Sequence, residues 1–579
     1  MSMRWSLTLA FALLITSCLA AACSDETTSK SDAAADVEIA PHDTGDTTEA
    51  ELPPDAEDDG SQDVPAPPDT TDTHVQPDVV PTDLAPDAPQ DLAPDAPQDL
   101  APDAPQDLAP DAPQDLTPDT VPDTAPDTVP DTQPDTQPDV IESCQPVTLP
   151  APRWVVAPNG RANGAGTLAD PLDLPSVLRS NGPVSPGDRV MLRGGTYVGR
   201  FTSAVVGTAA APIVFYAEPG ARVIFDSNAS SGNDEGSLII NGAWVEFHGM
   251  EFTDSHPDRL EKWDGVVLYG ANTKLVNAII YDTAQGVGFW RPAIDAELYG
   301  NIIFNNGFQG TSRGHGHAIY TQNQNGTKRI TQNIIFFGYG YGIHAYTEGG
   351  YIQGFDIVDN VWFRAGASVP GGSTDGEAEG CLVGGLQPVA RTRLAGNHSW
   401  GPRVSSRSTL VGWGGSVQNV DITMEDNYFV GRVAAQGHWQ SGVLTGNHFY
   451  SSIVGIDPAD FPNNVWSSSL PTGTKVVIQR NRYDAQRADL IIYNWGEADS
   501  VSVDLSAHLA QGSPYSLYSV FDLWSSPVAS GVYQGGNLQV PMGTKAPPQP
   551  QSSPNAHSGA DDPGKAFGVF VLRAGCALR

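Results

Sequence analysis

Two short segments of the sequence concentrate side chains that could act together in acid–base chemistry. The first contains Arg313, His315, Tyr320, Gln322 and Asn323, and the second contains His344, Tyr346 and Glu348. An imidazole can take up a proton near neutral pH, a phenol can donate one, and a guanidinium can neutralise a carboxylate. Together these groups suit removal of the proton beside the carboxylate of an acidic sugar. We predict catalytic roles for His315, His344, Tyr320, Tyr346, Arg313 and Glu348.

Structural interpretations compete with these roles. For His317 we favour a buried, hydrogen-bonded histidine inside the fold over a catalytic one. For His315 and His344 a structural role and a catalytic role stay equally open. Arg313 could simply be a solvated turn residue.

An internal repeat indicates which elements must position these residues. The pattern x-Asn-hydrophobic recurs at intervals of 20 to 37 residues, at Asn277, Asn301, Asn333, Asn360, Asn397, Asn427, Asn447 and Asn481. Units of this size, rich in β-forming residues, suit the coils of a parallel β-helix, in which stacked coils share one core. Asparagine tolerates left-handed turns and can form hydrogen-bonded ladders, so we predict structural roles for these residues. A β-propeller is the competing architecture, but its repeat is more even, at about 40 to 50 residues.

Alignment of four consecutive coils suggests a binding surface. With the glycines at 265, 286, 316 and 342 as first positions, the fifth positions are Tyr269, Trp290, Tyr320 and Tyr346. Because strand side chains alternate between faces, we expect these rings in one outward column, about 4.8 Å apart. Sugar rings stack on such aromatics, which favours a polysaccharide groove. Alternatively, the rings stiffen the sheet, or a loop or the C-terminal domain covers them. The predicted substrate-binding residues are Tyr269, Trp290, Arg291, Gln322, Asn323 and Asp264.

The pattern changes after residue 484. Short strands broken by Gly and Pro then predict a small C-terminal β-domain at 485–579, sandwich-like and packed against the last coils. Such a domain could close the open end of the solenoid, where unpaired strand edges would invite aggregation.

Three segments at the start of the folded region carry a family resemblance. They are R-W-V-V-A-P-N-G from Arg153, G-D-R-V-M-L-R-G-G-T-Y from Gly187 and A-P-I-V-F-Y-A-E-P-G from Ala211. This succession resembles the N-terminal coils of right-handed parallel β-helix proteins of the pectate-lyase-like superfamily. The resemblance implies an all-β, right-handed parallel β-helix over residues 144–484, with a short helix capping its first coil.

The same resemblance implies carbohydrate chemistry without fixing the reaction. The superfamily includes polysaccharide lyases, polygalacturonase-like hydrolases, epimerases and proteins with no known catalysis. Gly314-His315-Gly316 is similar to the G-H-G element of polygalacturonases, but their N-x-D and paired-Asp motifs are missing from the neighbouring coils. The W-x-D-H and R-x-P-x-x-R signatures of pectate lyases are absent too. We expect a polysaccharide lyase before a glycoside hydrolase, with a non-catalytic glycan-binding or adhesin-like protein as the alternative.

The composition of the first 143 residues predicts a targeting signal followed by a spacer. Arg4 and a short apolar run precede Cys18 and Cys23, and both cysteines resemble the lipidated residue of bacterial lipoproteins. An ordinary secretory signal at 1–23 is the alternative. Leu19 and Ser24 differ from the Asp that signals inner-membrane retention, so we expect a surface-exposed or extracellular outer-membrane lipoprotein. Residues 24–143, rich in Pro and Asp, predict a disordered linker.

The distribution of charge and the positions of the cysteines limit the classes of ligand and partner that we expect. Residues 24–143 hold 33 acidic side chains and one basic one, most of the net charge of −38, and no basic patch suggests nucleic acid. Cys144 and Cys576 could pair in an oxidising compartment. The loop with Asp375, Glu377 and Glu379 could ligate calcium, but an ordinary solvated loop is favoured, so we expect no cofactor. We also expect a monomer.

Overall fold

A computed structural model describes residues 151–228, 236–310, 313–368, 378–553 and 562–575. The predicted signal peptide, lipidation sites and linker, and the cysteines at 144 and 576, lie outside these ranges. No helix in the described part of the chain is long and apolar enough to cross a lipid bilayer.

Successive coils build three parallel sheets, here called sheets A, B and C, with strands numbered in chain order. Sheet A contains β1 (Trp154–Val156), β2 (Arg189–Leu192), β5 (Ile213–Ala217), β8 (Val245–His248), β11 (Lys274–Val276), β14 (Glu297–Tyr299), β19 (Lys328–Thr331), β22 (Ile352–Val358), β25 (Val389–Ala395), β28 (Gln418–Glu425) and β31 (His438–Thr445). Sheet B contains β3 (Gly195–Val198), β6 (Val223–Asp226), β9 (Glu251–Thr253), β12 (Ile279–Tyr281), β15 (Ile302–Phe304), β20 (Ile334–Phe336), β23 (Val361–Phe363), β26 (His398–Trp400), β29 (Tyr428–Val430), β32 (His448–Tyr450) and β34 (Val465–Ser467). Sheet C contains β4 (Phe201–Ser203), β7 (Gly236–Ile240), β10 (Asp264–Leu268), β13 (Val287–Phe289), β18 (Ile319–Thr321), β21 (Ile343–Ala345), β24 (Cys381–Val383), β27 (Arg407–Val411), β30 (Arg432–Ala435) and β33 (Ile453–Val454).

One continuous apolar core runs through the coils, which confirms the predicted all-β parallel β-helix. The short helix α1 (Leu174–Leu178) buries Leu174, Val177 and Leu178 in the core of the first coils, and Asp173 caps its N-terminus. Phe461 and Trp466 pack against the core at the other end. Single-turn 3₁₀ helices occur at Arg259–Glu261 and Pro458–Asp460, and β16 (Phe308–Gln309) pairs with β17 (Gly314–His315) in a hairpin before β18.

An asparagine ladder fixes the turn from sheet A to sheet B, as predicted. Each amide nitrogen donates to the amide oxygen of the next coil at 2.7–3.0 Å, through Asn301, Asn333, Asn360, Asn397, Asn427, Asn447 and Asn464. The residue before the ladder position takes the left-handed conformation, at 277, 300, 332, 359, 396, 426 and 446. Two predicted members are wrong. Asn277 occupies the left-handed position itself, and Asn481 lies beyond the coils, where it bonds the Asn277 side chain.

The C-terminal domain is an antiparallel sheet with a ribbon on one face. The sheet contains β35 (Thr474–Arg480), β36 (Arg487–Asn494), β41 (Phe567–Ala574), β38 (Pro514–Ser519) and β39 (Ala529–Val532), and the ribbon contains β37 (Ser500–Asp504) and β40 (Asn537–Pro541). Because β35 already pairs antiparallel with β36, this domain starts before residue 485. A second apolar cluster fills the space between ribbon and sheet, which gives the expected sandwich-like layering.

The C-terminal domain packs on the last coils, as predicted, but it continues along the side of the solenoid as far back as Tyr281 instead of closing its end. Its sheet packs on the outer face of sheet B, where five aromatic residues form one column in register: Tyr281, Phe304, Phe336, Phe363 and Trp400. Neighbouring rings of the first four lie 5.0–5.4 Å apart. Tyr493, Phe521 and Phe567 of the C-terminal domain cover this column. An exposed strip of this size would be costly in water, so its burial explains the lateral docking.

Candidate functional site

The chemistry of the three outer faces singles out sheet C. The outer face of sheet B is covered by the C-terminal domain. Sheet A carries a column of alternating charge, formed in register by Glu246, Lys274, Glu297, Arg329, Asp356 and Arg393. Opposite charges on neighbouring strands stabilise one another and leave little net field. The outer face of sheet C instead carries aromatic rings, histidines and nearby arginines.

The four predicted aromatics do lie on the outer face of sheet C, but not in one column. Register pairs Ile319 with Val287 and Ile343, so Tyr320 lies beside Gly288 and His344. Tyr320 is therefore two residues out of step with the predicted column. A shift of two residues preserves the face that a side chain occupies, which is why the outward orientation survives.

A compact stack of rings surrounds His344. Its ring lies 4.5 Å from that of Tyr341 and 4.8 Å from that of Tyr346, each within 10° of parallel. Tyr320 stacks on it at 5.1 Å, and His317 lies at 4.1 Å. Tyr341, which opens the same Y-G-I-H-A-Y segment, is not among the residues predicted from the sequence. His317 is buried, as expected, and its Nδ1 accepts the Tyr341 backbone N–H, but its ring joins this outer stack instead of lying inside the coil.

Burial decides which of these groups can reach a polymer. His344 is 6 % exposed and Tyr346 is 8 % exposed, so the structure does not place either predicted catalytic residue in contact with a substrate. Tyr320 and Glu348 are half-buried. The Tyr346 hydroxyl lies 3.4 Å from the Glu348 carboxylate, so it connects the ring stack around His344 to a half-buried acidic side chain.

His344 is held neutral by its surroundings. Burial lowers its pKa well below the usual 6.5, and the neighbouring His317 and Arg313 lower the pKa further. Its Nδ1 is buried and has no hydrogen-bond partner among the described residues.

We expect stability to fall as the pH drops below about 6.5, because the unfolded chain then binds protons that folded His344 excludes. Replacing His344 with Phe should reduce this loss by at most about 1.4 kcal/mol per pH unit. Urea denaturation of both proteins between pH 7 and 5 measures the difference. Burial also lowers the pKa of His398 to about 3, so the variant keeps part of the slope. Identical slopes in the two proteins would contradict the neutral burial of His344.

Trp290 forms a half-exposed flat surface on this face. A Cβ atom on Gly288 would lie 2.9 Å from the indole nitrogen of Trp290, so the ring lies across the bare backbone of that glycine. Trp290 contacts Tyr320 edge-on at 5.2 Å, and both rings are half-buried. Arg291 is exposed and lies 5.9 Å from the centre of the Tyr351 ring. We call Trp290, Tyr320 and Gly288 the aromatic platform.

The remaining predicted residues divide into accessible and structural ones. Tyr269 and Asp264 are half-buried at the edge of the platform, and the Asp264 carboxylate accepts a hydrogen bond from Gln285 at 3.0 Å. Asn323 is fully buried and its amide donates to the carbonyls of Gln353 and Gly354, so its predicted role in binding is wrong.

A buried lysine that the sequence did not predict lies beneath the platform. Lys328 is fully buried, and its ammonium donates to the carbonyls of Phe289, Trp290 and Gln322. Burial lowers its pKa well below 10.5. Lys328 thus fixes the backbone that carries Trp290. Gln322 is 8 % exposed, so its predicted contact with substrate is not supported.

The hairpin of β16 and β17 carries Arg313 and His315 toward the start of β18. Both are half-buried, and the His315 ring stacks on Phe308 of the same hairpin at 5.4 Å. The structure thus brings His317, Tyr320, Tyr346 and His344 together with Arg313 nearby, while His315 packs within its own hairpin.

No group of three or more His, Cys, Asp or Glu residues in the described ranges is arranged to hold a metal ion. Of the acidic loop proposed for calcium, Asp375 and Glu377 lie outside the described residues. Glu379 is buried and paired with Arg432 and Arg407, so its carboxylate is already neutralised. The calcium hypothesis stays a prediction.

Comparison with known proteins agrees with the architecture. Residues 154–399 match the family model described as Pel9A-like, right handed beta helix region. Pectate lyase Pel9A has 16 % identity and a TM-score of 0.39, with 56 % of this chain and 82 % of that chain covered. An alginate lyase from Paenibacillus sp. str. FPU-7 has 17 % identity and a TM-score of 0.31, with 50 % and 96 % covered.

A lacto-N-biosidase from Eubacterium ramulus has 13 % identity and a TM-score of 0.32, with 55 % of this chain and 67 % of that chain covered. No curated protein sequence matches the chain. Likeness at these identities does not extend to activity. Residues 154–399 form a pectate-lyase-like, right-handed parallel β-helix.

Proposed function

We propose that this protein is a carbohydrate-active β-helix that binds an acidic polysaccharide along the outer face of sheet C. The observation that carries the proposal is the aromatic platform, in which the Trp290 indole lies flat across Gly288 beside Tyr320. Flat, half-exposed rings suit the C–H faces of sugars, and an aromatic surface left open to water usually marks a binding site. Arg291 and Arg313 at its margins suit an anionic polymer.

We further propose that the reaction is β-elimination. In that reaction a base removes the proton beside the uronate carboxylate, the adjacent C–O bond to the next sugar breaks, a C=C bond forms and the leaving oxygen takes up a proton. Tyr320 is the half-exposed group that could transfer the proton, and Arg313 could neutralise the carboxylate. His344, held neutral by burial and stacked on Tyr320, and His317, in edge-on contact with the same ring, would position its phenol without touching the sugar.

Release of unsaturated products tests the lyase proposal. The full chain, incubated with polygalacturonate, alginate and other uronate polymers with and without calcium, should give products that absorb in the near ultraviolet. Tyr320→Phe keeps the ring stack but removes the hydroxyl, so it should lower the rate about 100-fold or more. An active Tyr320→Phe variant would remove Tyr320 from the chemistry, and no cleavage in the panel would overturn the lyase proposal.

A non-catalytic glycan-binding protein is the second candidate. The burial of His344 and Tyr346 favours it, because two of the six predicted catalytic residues lack access to a substrate. In that case Tyr320→Phe should leave glycan retention unchanged, and Trp290→Ala should still weaken it. Retention by affinity electrophoresis, measured beside product release, distinguishes the two functions.

A matched pair of substitutions tests the platform itself. Gly288→Ala would push only the end of the Trp290 side chain, so the fold should remain while the indole tilts off the backbone. We expect Gly288→Ala and Trp290→Ala each to weaken retention of a bound polymer by roughly tenfold, about 1.4 kcal/mol. Gly496→Ala, where a Cβ meets nothing within 4 Å, serves as the control. Unchanged retention in both platform variants would contradict the site.

We also propose that a lipid on Cys18 or Cys23 tethers the protein to the outer membrane, with the folded region outside the cell. The two cysteines after a short apolar run support this. Replacing both with Ser should move the protein from the membrane fraction to the soluble fraction. Lysates separated by ultracentrifugation show the distribution, and a variant that stays with the membrane would refute lipid anchoring.

A further inference from the structure

Two arginines lie directly opposite each other where neighbouring strands of sheet C begin. Arg407 opens β27, Arg432 opens β30, and the two are register partners. Like charges in this arrangement destabilise a sheet. One carboxylate compensates them, since a Glu379 oxygen lies 2.7 Å from Arg432 and 3.5 Å from Arg407. Glu379 is 1 % exposed, and the three side chains together keep one net positive charge.

Both arginine side chains are partly exposed. An arginine offers five N–H groups, and the Arg407 and Arg432 side chains are 42 % and 30 % exposed. The planar fork of a guanidinium matches a carboxylate or sulfate group with two parallel hydrogen bonds. Glu379 accepts a hydrogen bond from Nη2 of Arg432, and Nε of Arg432 is buried. Arg407 lies 3.5 Å from Glu379 and is the more exposed of the two, so it offers the more open fork.

The pair lies on the same sheet as the aromatic platform. Arg407 is three coils from Tyr320 and Arg432 is four, or about 14 and 19 Å at the usual strand spacing. Register aligns Tyr320 with Ala434 four coils away, and Arg432 lies two residues before Ala434, or about 7 Å along the strand. A polymer that lies over Tyr320 would reach the pair by running slightly oblique to the solenoid axis.

We infer that Arg407 and Arg432 form a distal subsite for an acidic group, carboxylate or sulfate, of a polyanionic glycan. Other units of that glycan rest on the aromatic platform, so the inference depends on the proposed function. The ligand that we infer is a polymer whose charged groups are spread over at least three coils. A short oligosaccharide on the platform does not reach the subsite.

A purely structural role makes a different prediction. Glu379 lies two residues before β24, and the two arginines begin the next two strands of sheet C, so the three side chains could simply clamp three coils together. A clamp would lose stability when either sign of charge is removed, and glycan binding by the folded protein would not change. In a binding site, removing the arginine charges should weaken glycan binding, and removing the Glu379 charge should strengthen it.

The experiment compares the full chain with Arg407→Gln, the double variant Arg407→Gln/Arg432→Gln, and Glu379→Gln. Arg393→Gln is the matched control, because Arg393 is 45 % exposed and paired with acidic side chains on sheet A. Affinities are measured for polygalacturonate, dextran sulfate, neutral dextran and the galacturonate dimer by calorimetry. The double variant should bind the preferred charged polymer about tenfold more weakly, and Glu379→Gln about threefold more tightly. Affinity for the dimer should not change.

Each outcome decides the inference. Preference for polygalacturonate assigns a carboxylate to the subsite, and preference for dextran sulfate assigns a sulfate. Equal losses in Arg393→Gln, or no loss in the double variant while Trp290→Ala still weakens binding, would overturn the distal subsite and leave the proposed function standing. If the wild-type chain binds neither charged polymer, both fail. Arg407→Gln keeps the short Arg432–Glu379 contact, so a folded variant remains for the test.

Discussion

Replacing Asn397 with Ala should lower the free energy of unfolding by about 4 kcal/mol, since several buried groups lose their partners at once. The Asn397 amide donates to Ile357 and Asn427, and its oxygen accepts from the backbone and side chain of Asn360. None of these groups reaches water, because Asn360, Asn397 and Asn427 are fully buried. Chemical denaturation followed by circular dichroism measures the change.

Asn325→Ala is the control, because Asn325 is exposed, and its change should stay within about 0.5 kcal/mol. Alanine cannot replace the hydrogen bonds of the Asn397 side chain. If Asn397→Ala cost no more than this control, the ladder would not be a main support of the coils.

Replacing Tyr493 with Ala should cost about 4 kcal/mol as well, by opening a cavity where the C-terminal sheet meets sheet B. Tyr493 is fully buried, its hydroxyl donates to the Ser399 carbonyl at 2.9 Å, and its ring lies 4.8 Å from Tyr428. The C-terminal sheet should then separate at lower denaturant concentration than the coils unfold. Binding of an apolar dye to the uncovered aromatic column, followed during denaturation, reports this step.

Tyr515→Ala supplies the comparison, because Tyr515 is half-buried in the cluster on the other side of the C-terminal sheet. We expect about 1 kcal/mol and no early dye binding for that variant. Equal losses for the two tyrosines, without early dye binding, would mean that the interface with sheet B does not hold the domain in place.

The repeated asparagines were enough to predict stacked coils, but the pattern misplaced Asn277 by one position and included Asn481, which follows β35 of the C-terminal domain. The pattern x-Asn-hydrophobic does not say whether Asn fills the ladder position or the left-handed position before it. At most coils Gly, Asp or Gln takes the left-handed position, but in the coil of Asn277 the asparagine takes it and Ala278 follows. Both positions tolerate asparagine, so only the three-dimensional structure shows which of the two a given asparagine occupies.

The face of the candidate site was predictable, but its register and accessibility were not. Alternation along each strand placed Trp290 and Tyr320 outside correctly. The hairpin before β18 adds residues to that coil, and a glycine chosen as the coil start then misaligned Tyr320 by two positions. Burial of His344 depends on Tyr341 and Tyr346 closing over it from neighbouring positions, which no single strand reveals.

The lateral docking of the C-terminal domain had a signal in the sequence. The N-I-I-F units put phenylalanine outward at Phe304 and Phe336, on a different sheet from the predicted groove. The sequence therefore predicts outward aromatic residues on two different sheets. The order of the strands along the chain does not show which of the two sheets the C-terminal domain covers. In the structure that domain covers sheet B and leaves the rings on sheet C partly open.

Hydrogen–deuterium exchange of the full chain, with and without polygalacturonate or alginate, tests the central claim that glycan binds the outer face of sheet C. We predict slower exchange with polymer in the segments that flank the platform, residues 290–296 and 346–351, and no change in residues 480–486 beside sheet A. Trp290→Ala should abolish the protection at the same polymer concentration. Protection confined to sheet A or to the C-terminal domain, with sheet C unchanged by both polymers, would contradict the account.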